Sequence, residues 1–300
     1  MFWFFTFMCS SLIIADFIQP SFAGHQPDDF AQRKDHYRLI ISIMSGPENI
    51  GRRNALRQTW LSKVSELPVS YHFLSDMNVE DELDVIGFEA IQKHGITKNI
   101  WNHRPTGEIK NPLQTYSFSL LNQHAMMFAL EKYSFDFYLR IDDDSFLCLE
   151  SLLDQLQHLP SSQLYAGRWH RSPQNLRPDE SFVLFSRDVV RYLAYPPLPF
   201  SHMFFGGLAF GKFLQPFELK RLDCSGLFSN LPLDPDIRNH FCSTHLSTHH
   251  VEPSDIFELF SKNDNSTRSL NSPRNGTQSW VPIEEIMNQV ADHGHTQQLP

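Results

Sequence analysis

The chain predicts an α/β domain with a central, mostly parallel mixed sheet flanked by helices. Short apolar runs alternate with helical periodicity through its first half, which is the rhythm of βαβ units. One long helical segment, Leu113 to Tyr133, carries an apolar stripe suited to packing on a sheet. The apolar run that follows it stops on three carboxylates, Asp142, Asp143 and Asp144. Ligands in open α/β sheets gather at the carboxyl ends of strands, so the triplet marks the expected site.

The elements follow in order. Tyr37 to Met44 is the first strand, closed by the turn residues Ser45, Gly46 and Pro47. Asn49 to Trp60 spaces Arg52, Arg53, Arg57 and Trp60 as a helix does. Val69 to Leu74 is extended, Val79 to Lys93 reads as helical around Leu83, Ile86 and Ala90, and Ile96 to Trp101 returns as a short strand. In the long helix Leu120, Leu121, Ala125, Phe128 and Ala129 form the stripe that delivers the chain into Phe135 to Ile141. Cys148 to His158 is an amphipathic helix, Leu164 to Arg168 a strand and Arg187 to Leu193 a helix, with a break at Tyr195, Pro196 and Pro197. The looser second half reads as the mixed part of the same domain.

The 300 residues bear a formal charge of -9, and no basic stripe with interleaved aromatics is present, so a general nucleic-acid binder is disfavoured. Residues 1–19 are apolar up to Asp16 and Pro20, and read as a signal peptide or short signal anchor; a truncated start is a third reading, because a basic flank is missing and the run is short. Residues 20–35 are a stem or linker, 36–261 the single domain and 262–300 a polar, flexible tail with a short helix near Val281 to Val290. The sequons at Asn265 and Asn275 suit glycosylation in a secretory lumen. Three cysteines lie outside the leader, which allows one disulfide; Cys224 with Cys242 is the expected pair, and Cys148 a core thiol.

In an extended backbone Asp142 and Asp144 share a face and Asp143 points away. Carboxylate oxygens suit Mg²⁺ or Mn²⁺, and three like charges at a buried strand end require a counter-ion. A solvated acidic loop is the competing reading. Arg52, Arg53 and Arg57 either bind donor phosphates through their planar guanidinium groups or form salt bridges that serve the fold. Trp60 belongs in the core. Trp169 either stacks on an acceptor sugar or anchors the core. His245, His249 and His250 are close enough in sequence to bind zinc.

In order along the chain, Arg52-Arg53 with Arg57 and Thr59-Trp60, then Arg140-Ile141-Asp142-Asp143-Asp144-Ser145-Phe146, then Tyr165-Ala166-Gly167-Arg168, Tyr195-Pro196-Pro197 and Gly206-Gly207 resemble the motifs of the β-1,3-glycosyltransferases of galactosyltransferase type (glycosyltransferase family 31). The resemblance covers roughly 38–251. It implies a GT-A fold and a luminal Golgi enzyme, single-pass type II or released by signal cleavage. It further implies transfer of galactose or N-acetylglucosamine, with inversion, from UDP-galactose or UDP-N-acetylglucosamine to a glycan on a glycoprotein, proteoglycan or glycolipid, forming a β-1,3 linkage. The implied cofactor is Mn²⁺ or Mg²⁺, held by Asp142, Asp144 and His249, with Asp143, Gly206 and Gly207 at the donor. The family's Glu-Asp-Val element, whose Asp is the base, aligns by spacing with Glu218-Leu219-Lys220, which puts Leu219 at the base position and leaves Glu218 and Asp223 as neighbouring carboxylates. A fold-retaining pseudoenzyme or glycan-binding partner, and a metal-dependent phosphoester hydrolase, are the rival classes.

Overall fold

The computed structural model describes residues 35–75, 82–87, 112–170, 176–196, 206–230, 233–263 and 280–287. Along the chain lie β1 (His36–Met44), α1 (Ile50–Gln58) running into a 3-10 segment (Trp60–Glu66), β2 (Val69–Leu74), β3 (Val85–Ile86), α2 (Pro112–Lys132), β4 (Ser134–Asp142), β5 (Ser145–Leu147) and α3 (Leu149–Leu156). Then come β6 (Leu164–Trp169), β7 (Pro178–Ser186), α4 (Arg187–Ala194), α5 (Gly206–Leu214), β8 (Lys220–Asp223), β9 (Phe228–Asn230), α6 (Pro235–Asn239), α7 (Phe241–Thr244), β10 (Ser247–His249), α8 (Pro253–Asn263) and β11 (Val281–Pro282).

The main sheet has the order β11-β8-β6-β7-β4-β1-β2-β3. β1 pairs in parallel with both β2 and β4, β2 with β3, and β6 with β8, whereas β7 runs antiparallel to both of its neighbours. Two antiparallel steps cancel, so β1, β2, β4, β6 and β8 all point the same way. Their carboxyl ends, including Asp142, Trp169 and Asp223, share one edge. Alternation divides the core: Leu39, Ile41, Ile43, Phe137, Leu139 and Ile141 bury one face, and Ile40, Tyr138, Tyr165 and Phe185 the other. Gly167 permits the close approach of β6 to β7, since a Cβ there would meet Phe182 O at 2.5 Å and Pro178 Cβ at 2.7 Å.

A second sheet, β5-β10-β9, stands at that edge. β10 is antiparallel to β5, with His249 opposite Ser145, and parallel to β9, with His249 opposite Asn230. The mixed sheet flanked by helices, with the acidic triplet at the end of its central strand and a small second sheet beside it, has the GT-A architecture expected.

Several expectations are corrected. The disulfide joins Cys148 to Cys242, with Cα atoms 5.4 Å apart, and Cys224 is a free, buried thiol. Cys224 follows β8 within the main sheet and is fully enclosed, while Cys148 and Cys242 flank the second sheet, a proximity that sequence distance hides. Gly206-Gly207 opens helix α5, not a Gly-rich strand. Within the expected helix Val79 to Lys93, the described residues 82–87 form a turn and β3, since Val85 and Ile86 extend the sheet beside β2. The tail is partly folded: β11 pairs with β8, and Ile283 and Ile286 are buried in the second-face core. The strand expected at Ile96 to Trp101, the leader, the stem apart from Asp35 and both sequons lie outside the described residues. Among the described residues no helix is long and apolar enough to cross a membrane.

The bridge spans 94 residues of chain and ties α7 to the start of α3. Cys242→Ser should therefore cost about 2–5 kcal/mol by constraining the unfolded chain less, whereas Cys224→Ala should leave the bridge intact. Denaturant melts with non-reducing peptide mapping check both; a cross-linked peptide containing Cys224 would overturn the assignment.

Candidate functional site

The site begins where β4 ends. Asp142 closes the strand, Asp143 and Asp144 turn the chain into β5, and the three carboxylates diverge. Asp143 is buried and faces the β1–α1 turn: its Oδ2 accepts from Asn49 Nδ2 at 2.9 Å, and its backbone N–H donates to Met44 O. Burial lifts its pKa above the ordinary carboxylate value against the pull of Asn49 and Arg52. Asp142 and Asp144 turn instead toward His249, whose Nε2 lies 2.9 Å from Asp144 Oδ1 and 3.5 Å from Asp142 Oδ2. His250 Nδ1 lies 3.4 Å from the other oxygen of Asp144.

β10 brings His249 here because it is zipped to β5 directly after the triplet. Val251 N–H donates to Asp144 O, and Cys148 N–H to Leu246 O, fixing both ends of that pairing. His249 shows the result electrostatically. Burial works against its charged form, but hydrogen bonds and charge from Asp142 and Asp144 outweigh burial and raise its pKa to about 9. Asp144 mirrors this: burial would raise it, yet the bond to His249 and the charges of His249 and Arg52 hold it below the usual value.

The three arginines of α1 separate by role. Arg53 is fully buried and spends all its donors on the fold: Nη1 bonds Ser45 Oγ (2.9 Å) and Gly46 O (2.6 Å), Nη2 bonds Pro47 O and Glu82, and Nε bonds Glu82. Arg57 grips Asp84 through two nitrogens, at 2.9 and 2.6 Å, and lies over the Phe73 ring. Neither faces the triplet, so the salt-bridge reading holds for both. Arg52 alone turns to it, with Nη1 3.5 Å from Asp143 Oδ1 and 3.8 Å from Asp144 Oδ2, and Nη2 3.4 Å from Glu252 Oε1. Arg140 donates to Asp142 Oδ1 at 2.9 Å from the strand itself, while its buried Nε and Nη1 have no partner among the described residues.

Other expected residues are elsewhere. Trp169 is a core residue, 4% exposed, with Nε1 donating to Leu222 O. Asp223 shares the correct edge, but its carboxylate is buried, accepting from Trp169 N–H and Ser225 Oγ, so it positions β6 and β8 and is no base. Glu218 is at the wrong end of the sheet. Arg221 is level with Tyr165 and, across β7, with Tyr138, so Glu218 precedes that level while Asp142 lies beyond it. At ~3.3 Å per residue their levels differ by roughly 20 Å along the strand direction alone. Leu219 is buried in the core at that far end. His245 stacks on Phe241 and stands apart from the cluster. Gly206 and Gly207, as the first turn of α5, form no described contact with the triplet.

Two features were missed. His170 at the end of β6 pairs with Asp179 at the start of β7, Nε2 to Oδ2 3.3 Å, on the same edge as the triplet. Asp236 lies on α6, just beyond β9, whose Asn230 is opposite His249. Asp234 caps that helix by accepting from Asp236 N–H, whereas the Asp236 side chain is exposed and carries no bond among the described residues. An Asp followed by a branched apolar residue, Asp236-Ile237, was the available signal for an element like Glu-Asp-Val.

The donor set fits a divalent ion. Single ligand atoms of Asp144, His249 and His250 all lie within 4.8 Å of one another, with Asp142 alongside His249. The mixed sheet flanked by helices and this carboxylate–imidazole cluster at its carboxyl edge have the arrangement that the resemblance to the β-1,3-glycosyltransferases implies. No protein-family profile matches the chain. It is 24% identical over 168 residues to the lactosylceramide 1,3-N-acetyl-beta-D-glucosaminyltransferase of Xenopus tropicalis, and 24% over 164 residues to the Homo sapiens protein of that name. Each match takes in 53% of this chain and 43% of the relative, so the chain spans less than half the length of either. The resemblance to the β-1,3-glycosyltransferases is thereby borne out. Among solved structures, a glycosyltransferase involved in glycosylation of the major capsid of PBCV-1 overlaps 75% of this chain and 99% of its own at 13% identity, with a TM-score of 0.39. Mouse xyloside xylosyltransferase 1 overlaps 71% and 97% at 12% identity, with a TM-score of 0.38.

The raised pKa of His249 has a defined consequence in metal-free protein. A folded value of about 9 above an unfolded 6.5 gives stabilisation that is complete below pH 6.5 and lost as pH rises through 9. The loss is at most about 3 kcal/mol. Thermal melts in chelator should show His249→Gln less stable than wild type at pH 6 and nearly equal to it at pH 10; an equal gap at both would contradict the assignment.

Proposed function

We propose that the chain transfers a hexose, with inversion, from a UDP-sugar to a hydroxyl of a glycan, forming a β-1,3 linkage. The observation that carries this reading is the convergence of Asp142 and Asp144 from the main sheet with His249 from the second sheet, beside the guanidinium of Arg52. Breaking the sugar–phosphate bond puts negative charge on a diphosphate, and a site that collects cationic groups there favours departure. Asp144 and His249 would hold Mn²⁺ or Mg²⁺, with Asp142 orienting the imidazole. A bound divalent ion supplies Lewis-acid stabilisation of the diphosphate. Arg52 adds a planar guanidinium suited to phosphate oxygens, and Asp143, held by Asn49, keeps the β1–α1 turn against the donor.

An inverting displacement needs a base on the face opposite the leaving group. Asp236 is our candidate, because its side chain is exposed, carries no bond among the described residues and lies on the helix that follows β9, the strand paired with β10. His170 and Asp179, partly exposed on the same edge, suit hydrogen bonding to acceptor hydroxyls. The donor is UDP-galactose or UDP-N-acetylglucosamine; the names of the two relatives favour the second and a glycolipid acceptor. If Asp236 does not serve, the pseudoenzyme reading takes over.

The test is a panel of UDP-sugars and glycan acceptors with UDP release as readout. Asp236→Asn should slow release by about 10²-fold or more with donor binding kept, Asp144→Asn should abolish metal-dependent UDP binding, and Glu218→Gln should change neither. UDP binding without turnover of any donor would favour the pseudoenzyme, and full activity in Asp236→Asn would reject the base.

We also propose a luminal Golgi location. The bridge from Cys148 to Cys242 supports an oxidising compartment, as do the leader and the sequons at Asn265 and Asn275. Expressed in eukaryotic cells, the protein should lose mass on N-glycosidase treatment and sediment with Golgi membranes; an unglycosylated cytosolic product would refute it.

A further inference from the structure

His250 adopts a backbone conformation that side chains of its size rarely take, with φ 63°. Successive residues of a strand point to opposite faces, so an extended residue here would send its imidazole away from His249. The left-handed turn brings the rings together instead, with centroids 3.9 Å apart and planes inclined by 32°. Asp144 is shared between them, one oxygen 2.9 Å from His249 Nε2 and the other 3.4 Å from His250 Nδ1. Donor atoms about 2.0–2.2 Å from one first-row ion lie roughly 3–4 Å from each other. The observed cluster, within 4.8 Å throughout, needs only small side-chain rotations to match that spacing.

We propose that His250 is a second nitrogen ligand, which makes an Asp144–His249–His250 donor set and selects Zn²⁺ or Mn²⁺ over Mg²⁺. Mg²⁺ prefers oxygen and water and gives them up reluctantly, whereas imidazole nitrogen suits Zn²⁺ and, less strongly, Mn²⁺. The side chain of His250 is 80% exposed, so the set is open on one side to substrate oxygens. This inference deepens the transferase reading and rests on it for its purpose, while the binding of bare metal can be measured without it.

The experiment titrates chelator-stripped full chain with MgCl₂, MnCl₂ and ZnCl₂ by calorimetry, and with CoCl₂ by visible absorption. Wild type is compared with His250→Asn, since Asn tolerates the left-handed backbone. His250→Gly, which relieves that backbone and also lacks the imidazole, is a second variant, and circular dichroism checks the fold of both. Zn²⁺ should bind wild type about 100-fold or more tighter than Mg²⁺. Both variants should lose roughly 10–100-fold in Zn²⁺ and Mn²⁺ affinity, the size of effect typical of altered metal surroundings, with Mg²⁺ hardly changed. The Co²⁺ spectrum should shift in both variants. Zn²⁺ and Mn²⁺ affinities within about twofold of wild type in the variants, or Mg²⁺ binding wild type as tightly as Zn²⁺, would overturn the proposal. UDP is then added to Zn²⁺- and Mn²⁺-loaded wild type. Metal binding that depends on His250 with no UDP binding would reject the transferase reading and leave the donor set standing.

Discussion

Three carboxylates at the end of a buried strand cannot all ionise without cationic partners, and the surrounding structure answers that constraint. Arg140 pairs with Asp142 from within the strand, Arg52 reaches Asp143 and Asp144 from α1, and in metal-free protein Asp142 and Asp144 raise the pKa of His249 between them. Asp143 is the exception, since burial raises its pKa against the hydrogen bonds of the neutral Ser45 and Asn49 side chains and the charge of Arg52. Under the proposed function, a divalent ion and a diphosphate would exchange with the protein's own groups at this concentration of charge.

The cations come from distant parts of the sequence, and two strand pairings and one disulfide assemble them. Parallel pairing of β1 with β4 sets Met44 level with Asp142, so the turn leading into α1 opens beside the triplet. Antiparallel pairing of β10 with β5 sets His249 opposite Ser145, and the bridge between Cys148 and Cys242 holds the second sheet in that position. A slip of one residue in β10 would point His249 to the other face, so register itself is a requirement of the site.

The arginines of α1 illustrate how one motif divides its labour. A helix turns about 100° per residue, so Arg52 and Arg53 cannot face the same way. Arg53 points inward, where a buried guanidinium satisfies the carbonyls of the β1–α1 turn and shares Glu82 with Arg57. Arg52 points toward the strand ends. The motif therefore shapes the turn with one residue and charges the site with another.

The sequence by itself determined the α/β class, β1, α1, β2, the long helix α2, β4 and the place of Asp142 and Asp144 at its carboxyl end, because periodicity and an apolar run ending in carboxylates are local signals. The resemblance also implies His249. Tertiary structure alone decided the partner of Cys242, the far-end position of Glu218, the interior place of Trp169 and the turning of the His250 ring toward Asp144. The physical reason is common to all four. Each depends on strand order, direction or one left-handed residue, quantities set by long-range pairing that leave no mark in the spacing of residues along the chain.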